Sequence, residues 1–392
     1  MTLGRRDFLT ALARAGLGAA ALASLPPAVR DALAAGVPPD VLVRSDRPEQ
    51  WETTLTALGR AWITPNDAFF VRSHLGTPDL DPKTWKLEVA GAVRTPLTLS
   101  LAELQALPHV EQPVTLECAG NGRGLMHLAS TSGTQWERGA VGTATWGGVR
   151  LSELLHRAEP SADAQHVWFE AADLAPMPDV PRFLRSIPLA KATFDTLLAY
   201  RMNGKPLPRL HGAPVRAVVP GWYGMASTKW VTRIRVEKTP SDNHFMVRGY
   251  RYNAPGEDPT AAAPVETMRV KSLITRPADG TRVGPILRPD GTAILRVQGF
   301  AWAGPSGVRE VAVSSDGGSS WQPGTFVGRS ELGAWRSWQC DVTVPSGPSD
   351  LTLLARATDG AGDTQPLEAR VNAGGYGNNA IHRVRILATP AR

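Results

Sequence analysis

Beyond a Pro/Gly/Ala stretch at 253–264, the chain alternates apolar and polar positions in short runs at 294–297, 308–313, 337–344 and 351–357. Turn clusters separate the runs, among them Asp316-Gly317-Gly318-Ser319, Pro345-Ser346-Gly347-Pro348 and Asp359-Gly360-Ala361-Gly362. A period of two places every second side chain on one face of a sheet. Several such runs at this spacing predict an all-β sandwich over 262–392. The preceding part has another texture. Strands are predicted at 85–89, 113–117, 166–170, 215–219 and 231–236, with helices at 99–106 and 151–158. Ser100 with Glu103 three positions on makes a capping box, and Ser152 and Glu153 open the second helix. The expected fold class is α+β: a mixed domain over 45–255, a linker, and a sandwich.

Two cysteines in 392 residues exclude a disulfide scaffold. Hydrophobic residues at 42% and charged residues at 20% exclude disordered and polytopic membrane classes. The first 34 residues read as an address. Gly4-Arg5-Arg6-Asp7-Phe8-Leu9-Thr10 precedes an apolar run from Ala15 to Leu25, and Ala32-Leu33-Ala34 offers a small-residue cleavage site. This predicts twin-arginine export to the periplasm or cell-envelope space, a route for proteins that fold before export, often around a cofactor. The run is too short to span a bilayer, so no span is expected in the mature protein. Without this segment, 38 basic and 34 acidic residues reduce the net charge of +6 to +4. No Lys/Arg run provides a nucleic-acid footprint, and the small excess suits an anionic substrate or cofactor.

The chemistry-bearing segment is Thr115-Leu116-Glu117-Cys118-Ala119-Gly120-Asn121-Gly122-Arg123. A predicted strand delivers one cysteine into a turn of small residues that lets a large ligand approach, and an arginine follows. Thiolate is the reactive and metal-binding form of cysteine, and nearby positive charge favours it. The alternative is a small buried hydrophobe, which is also the reading for Cys340 on a sandwich strand. Cysteine-protease signatures are absent.

Together with Phe69-Phe70-Val71-Arg72-Ser73-His74, His211-Gly212-Ala213-Pro214-Val215-Arg216, Val218-Val219-Pro220-Gly221, Ser227-Thr228-Lys229-Trp230 and the segment from His244 to Tyr250, this segment resembles the sulfite oxidase family of molybdenum enzymes. The resemblance runs over about residues 45 to 390. It implies a sulfite-oxidase-type molybdopterin domain followed by an immunoglobulin-like dimerisation sandwich, although the Cys…Trp…Cys core pattern is missing. It further implies molybdenum held by one molybdopterin, with Cys118 as the only protein ligand, and oxidation of sulfite to sulfate by oxygen-atom transfer.

By that resemblance Arg72 and Arg123 bind the oxyanion, since guanidinium forks match its geometry. Tyr250 is the active-site tyrosine, with Tyr252, two residues on, as the competing candidate. Phe70, Arg72, His74, Asp173, His211, Arg216, Ser227, Thr228 and Lys229 contact the cofactor. Trp136 is either a pocket wall or a core residue. A further family arginine, contributed by the second domain, aligns with Gly374, which puts tight sulfite binding in question.

No Cys-x-x-Cys-His occurs, so no c-type haem is carried and no haem domain is expected. Electrons are expected to pass to a separate c-type cytochrome, and the chain to form a homodimer through the sandwich. A subunit of thiosulfate-oxidising systems, which works beside a haem partner, is similar. Sulfoxide reduction, or a non-catalytic secreted binding module, are the alternative readings.

Overall fold

The computed structural model describes residues 40–126 and 131–390, and the export segment expected over 1–34 lies outside them. The first part holds two five-stranded sheets. In one, His109–Glu117 pairs antiparallel with Val141–Arg150, which pairs with Leu197–Met202; Lys205–Pro206 and Arg216–Val218 complete the sheet. The other runs Leu97–Ser100, Lys86–Gly91, Val231–Glu237, His166–Ala171 and Leu184–Pro188, with one parallel pair at Lys86–Gly91 against Val231–Glu237. A small three-stranded sheet of Val41–Ser45, Gln50–Thr53 and Val71–Arg72 borders them.

Val141–Arg150 escapes the alternation rule because Gly142, Gly147 and Gly148 interrupt its pattern. The interruption has a cause: a Cβ on Gly148 would lie 2.0 Å from the carbonyl oxygen of Leu198, so only glycine admits the neighbouring strand.

Helices are few and short. The one expected over 99–106 is only Leu101–Gln105, because Leu97–Ser100 pairs as a strand up to the cap. Ser100 forms the capping box: its Oγ accepts from Glu103 N at 3.3 Å and its own N–H donates to Glu103 Oε2 at 2.7 Å. Leu151–Ala158 has the expected bounds, but Arg150 is its N-cap, so Ser152 and Glu153 lie within the first turn. Its Leu151, Leu154 and Leu155 pack with Phe169, Ile234 and Leu104 in the core under the second sheet. The 244–250 segment is not a strand but a helical turn, His244–Val247, followed by a tight reversal.

The C-terminal part is a sandwich. One sheet is Lys271–Arg276, Ala293–Trp302, Arg336–Val344 and Thr325–Val327, with Ile286–Leu287 on its flank. The other is Thr281–Val283, His382–Ala388, Ser349–Asp359, Val308–Ser314 and Gln322–Pro323. Leu295, Val297 and Val342 face Val313, Leu353 and Val384 across a shared core. Cys340 is buried there, and burial pushes its thiol up to about 11, as befits an unreactive filler.

The two parts also share a core. Tyr223 and Tyr250 of the first cluster with Met268, Phe300, Trp302 and Trp335 of the second. Trp335 Nε1 donates to Trp62 O at 2.8 Å and Trp62 Nε1 returns a bond to Trp335 O at 3.2 Å. No helix among the described residues is long and apolar enough to cross a membrane.

Candidate active site

Cys118 directly follows the strand His109–Glu117. Its N–H donates to Ala140 O and its carbonyl accepts from Asn121 N, each at 2.9 Å, so the backbone on both sides of the thiol is pinned. Asn121 Nδ2 donates to the buried Glu117 carboxylate at 2.9 Å, while its Oδ1 accepts from Ala140 N at 3.1 Å. Gly122, at φ 93°, then turns the chain into Arg123. Two cavities meet at this cysteine.

The deeper cavity is lined by every residue that the sequence marked for cofactor contact, from Phe70, Arg72 and His74 through Asp173 and His211 to Arg216, Ser227, Thr228 and Lys229. Among the described residues Arg216 and Lys229 form no ion pair. Arg216 donates only to carbonyls, from Nη1 to His211 O at 2.9 Å, from Nη2 to Ser227 O at 2.8 Å and from Nε to Ala217 O at 3.2 Å. Lys229 Nζ donates to Ser73 Oγ at 2.8 Å and Leu210 O at 3.0 Å. Burial pushes Arg216 down to about 9, and burial together with the neighbouring Arg216 and Arg72 holds Lys229 well below its ordinary range despite the pull of Glu49 and Asp173.

Two polar atoms there, Asp173 Oδ1 and Thr228 Oγ1, are buried without partners among the described residues. Burial also raises the Asp173 carboxyl to about 6, against the pull of Lys229 and Arg182. Buried polar groups without partners point to a ligand that supplies them. A flat heterocycle with N–H donors and a phosphate tail answers these needs: an acceptor at Asp173, donors at Thr228, Arg216 and Lys229, and a thiolate at Cys118 for a metal. The residues present fit a metal–pterin cofactor.

His211 is structural and neutral, its Nε2 donating to Asn66 O at 2.9 Å while burial pushes it down to about 3. Ser227 Oγ accepts from Val219 N at 3.0 Å, holding the loop that carries Thr228 and Lys229.

A prediction follows for protein freed of cofactor. Phosphate or pyrophosphate should raise its melting temperature, since an anion bound only by the folded state contributes about 2.7 kcal/mol at 100 times its Kd. Lys229→Met is expected to abolish most of that response in a thermal-shift titration. An unchanged response would show that the anion binds elsewhere.

The second cavity is lined by Arg72, Gly120, Arg123, His244, Tyr250 and Tyr376, with Cys118 and His74 at the junction. Arg123 is nearly buried, in a cradle of glycines. A Cβ on Gly120 would lie 2.7 Å from its Nη2, one on Gly133 2.7 Å from its Nη1 and one on Gly375 2.7 Å from its Cγ. Nε donates to Gly374 O at 2.8 Å and Nη1 to Thr134 O at 3.0 Å, leaving Nη2 without a protein acceptor among the described residues. At Gly374 the second domain thus offers a carbonyl to Arg123.

Tyr250 adopts φ 58°, a left-handed conformation uncommon for a bulky residue and concentrated at functional sites. Its hydroxyl is hydrogen-bonded to His74 Nε2, and Arg185 lies 5.3 Å above its ring. Burial, reinforced by Arg72, Lys229, Arg185 and Arg123, holds His74 well below its usual range and keeps it neutral, while burial raises the Tyr250 hydroxyl.

Tyr252 lies outside both cavities under Arg269, at 4.4 Å. The two tyrosines are separated by the left-handed backbone at Tyr250, where strand geometry would have put both on one face. Trp136 is fully buried in a cluster with Phe69, Phe70 and Cys118 and does not line the pocket. Sequence reasoning missed Arg185, Tyr376 and the Glu117 network. None carries a local signal, since their partners lie in distant segments.

Family models match in two places: "Oxidoreductase molybdopterin binding domain" over residues 74–245 and "Mo-co oxidoreductase dimerisation domain" over 262–389. Mitochondrial sulfite oxidase of Rattus norvegicus is 38% identical over 373 residues, covering 90% of this chain and 66% of the relative, so the chain spans about two thirds of that protein's length. Sulfite oxidase of Arabidopsis thaliana is 30% identical over 377 residues, covering 88% of this chain and 93% of the relative. The solved sulfane dehydrogenase SoxCD from Paracoccus pantotrophus superposes with a TM-score of 0.75 at 28% identity, covering 92% of this chain and 90% of that one.

Proposed function

Because the chain belongs to the sulfite oxidase family of molybdopterin oxidoreductases, we propose that it oxidises sulfite to sulfate and passes the electrons to an external acceptor. The observation that carries this reading is the meeting, at one pinned cysteine, of a cofactor-sized cationic cavity and a smaller one bearing two arginines and a tyrosine. Sulfite and water become sulfate with release of two protons and two electrons. When bound, the molybdenum–pterin group supplies oxygen-atom transfer and holds the two electrons.

The chain supplies the rest. Cys118 would present a soft thiolate to the metal, and Arg216, Thr228 and Lys229 would hold the pterin's phosphate tail. Arg123 donates its uncommitted Nη2 to an oxyanion, with Arg72 as the second cation. Arg123 is orientated in advance by the Gly374 and Thr134 carbonyls, so little side-chain freedom is lost when the anion binds. The Tyr250 hydroxyl, kept protonated by burial and set against neutral His74, can donate to the reacting oxygen and take the proton back.

A c-type cytochrome in the exported compartment is the acceptor we favour. The support is the twin-arginine pattern at Arg5-Arg6 and the absence from the sequence of any Cys-x-x-Cys-His. We expect a homodimer through residues 262–389, the segment matched by the dimerisation-domain model.

The likeness to a sulfane dehydrogenase favours a second reading, oxidation of sulfane sulfur. Steady-state assays of molybdenum-loaded protein with sulfite and thiosulfate, each with cytochrome c and with ferricyanide, decide between them. Sulfite turnover with about one molybdenum and one pterin per chain is the expected result. Neither molybdenum nor pterin would leave a binding module. Loaded protein inert to sulfite but active with sulfoxides would make it a reductase.

A further inference from the structure

The segment 372–377 of the second domain ends against the substrate cavity, and its conformation is tightly specified. Asn372 Oδ1 accepts from Tyr376 N at 2.9 Å and Asn372 Nδ2 donates to Tyr376 O at 2.8 Å, so one side chain clamps both polar groups of the Tyr376 backbone. Gly377 N then donates to Ala119 O at 2.8 Å, one residue past the metal-binding cysteine.

Clamped in this way, the Tyr376 ring stacks on Tyr250 at 5.0 Å and 28°, and the Arg123 guanidinium carbon lies 5.2 Å from its centre. Room for the ring is made by Gly374, where a Cβ would fall 2.1 Å from the tyrosine's Cε2. Any side chain at 374 would begin where the ring of Tyr376 already is. The two positions are therefore coupled by exclusion.

From these contacts we infer that Tyr376 is the specificity-determining wall of the substrate cavity, delivered by the second domain to restrict it to a compact oxyanion without a carbon substituent on sulfur. The inference rests on the sulfite reading. Tyr376 lines the same cavity as Arg72, Arg123 and Tyr250, and it packs against the latter two. Its ring fixes how far the anion-binding cation stands from the tyrosine hydroxyl and fills the volume beside them. An organic sulfinate offers the same sulfur lone pair and two oxygens as sulfite, but it projects an alkyl or aryl group. The ring takes up the space beside Arg123 and Tyr250 into which that group would project; without it, that side of the cavity widens.

The same balance applies to the larger substrate. Sulfinate and water give sulfonate, two protons and two electrons, with a new sulfur–oxygen bond and ferricyanide as the oxidant.

Holoenzymes of the wild type, Tyr376→Ala, Tyr376→Phe, Gly374→Ala and the double Gly374→Ala/Tyr376→Ala variant are compared for molybdenum and pterin content, then for sulfite and benzenesulfinate kinetics with ferricyanide. Tyr376→Ala is expected to raise the KM for sulfite at least tenfold, with a smaller fall in kcat, and to shift the benzenesulfinate-to-sulfite ratio of kcat/KM by at least tenfold. Phenylalanine, which keeps the ring, should recover the selectivity that alanine loses. Gly374→Ala should reproduce the Tyr376→Ala phenotype by displacing the ring, and adding it to Tyr376→Ala should change little. Should Tyr376→Ala lose its cofactor, Gly374→Ala alone carries the selectivity test.

Wild type that oxidises sulfite, beside loaded variants whose KM and selectivity stay within twofold of it, would overturn the role of Tyr376. A loaded wild type inert to sulfite would instead remove the sulfite reading and this inference with it.

Discussion

Serine in place of Cys118 is expected to lower sulfite turnover by more than about 100-fold, beyond what changes to the groups surrounding a metal ligand cost, while the protein folds normally and retains its pterin. The physical contrast is between a soft, readily ionised sulfur and a hard hydroxyl that stays protonated at neutral pH. Nothing else in the site needs to move. The Cys118 backbone is held by Ala140 O and Asn121 N, bonds that serine keeps. The deeper cavity's own cations, Arg216 and Lys229, would hold the cofactor without help from the thiol. Pterin content near the wild-type value, with loss of turnover and of any thiolate-to-metal absorption band, is the expected combination. Full activity in the serine variant would mean that Cys118 is not the ligand, and the reaction would have to be relocated.

Lys271→Met should destabilise the folded protein by about 3–5 kcal/mol, the usual cost of removing one partner from a buried ion pair. Glu117 has no solvent exposure, yet its carboxylate receives Lys271 Nζ at 2.5 Å, Trp302 Nε1 at 2.8 Å and Asn121 Nδ2 at 2.9 Å. Lysine and tryptophan both come from sandwich strands, so the second domain neutralises a charge that lies one residue before Cys118, the proposed metal ligand. Methionine leaves that charge unpaired. Thermal unfolding should show a drop of several degrees, and Glu117→Gln in the same chain should recover most of it, because a neutral amide keeps the Trp302 bond without a charge to compensate. A melting temperature unchanged in Lys271→Met would show that the pair contributes nothing to cohesion between the two parts.

Legibility from sequence follows the range over which each feature is encoded. The capping box at Ser100 and Glu103 is a local contact between residues three apart, and it forms. The helix Leu151–Ala158 has apolar positions at helical spacing, and its bounds are those of the pattern. The strand Val141–Arg150 is opaque by the same logic, since its glycines answer to Phe69 and Leu198, which are distant in sequence and invisible to any periodicity. At the site, the marked residues were legible through the resemblance of short segments to family motifs, not from any one residue alone. Arg185, over the Tyr250 ring, and Tyr376, in the cavity wall, were not, and both reached their places only through folding.

What the sequence by itself determined is the division into a mixed domain and a period-two sandwich, the cysteine-bearing turn, and the residue types suited to an oxyanion and a phosphate. These are set by side-chain chemistry and by backbone geometry over a few residues. Tertiary structure alone decided that Tyr250 and not Tyr252 faces the site, that buried cations and orphaned polar atoms gather in one cavity, and that Gly374 is empty because Tyr376 occupies its space. The reason is physical: exclusion and desolvation depend on what other segments bring to the same point, and a linear sequence carries no distance between them.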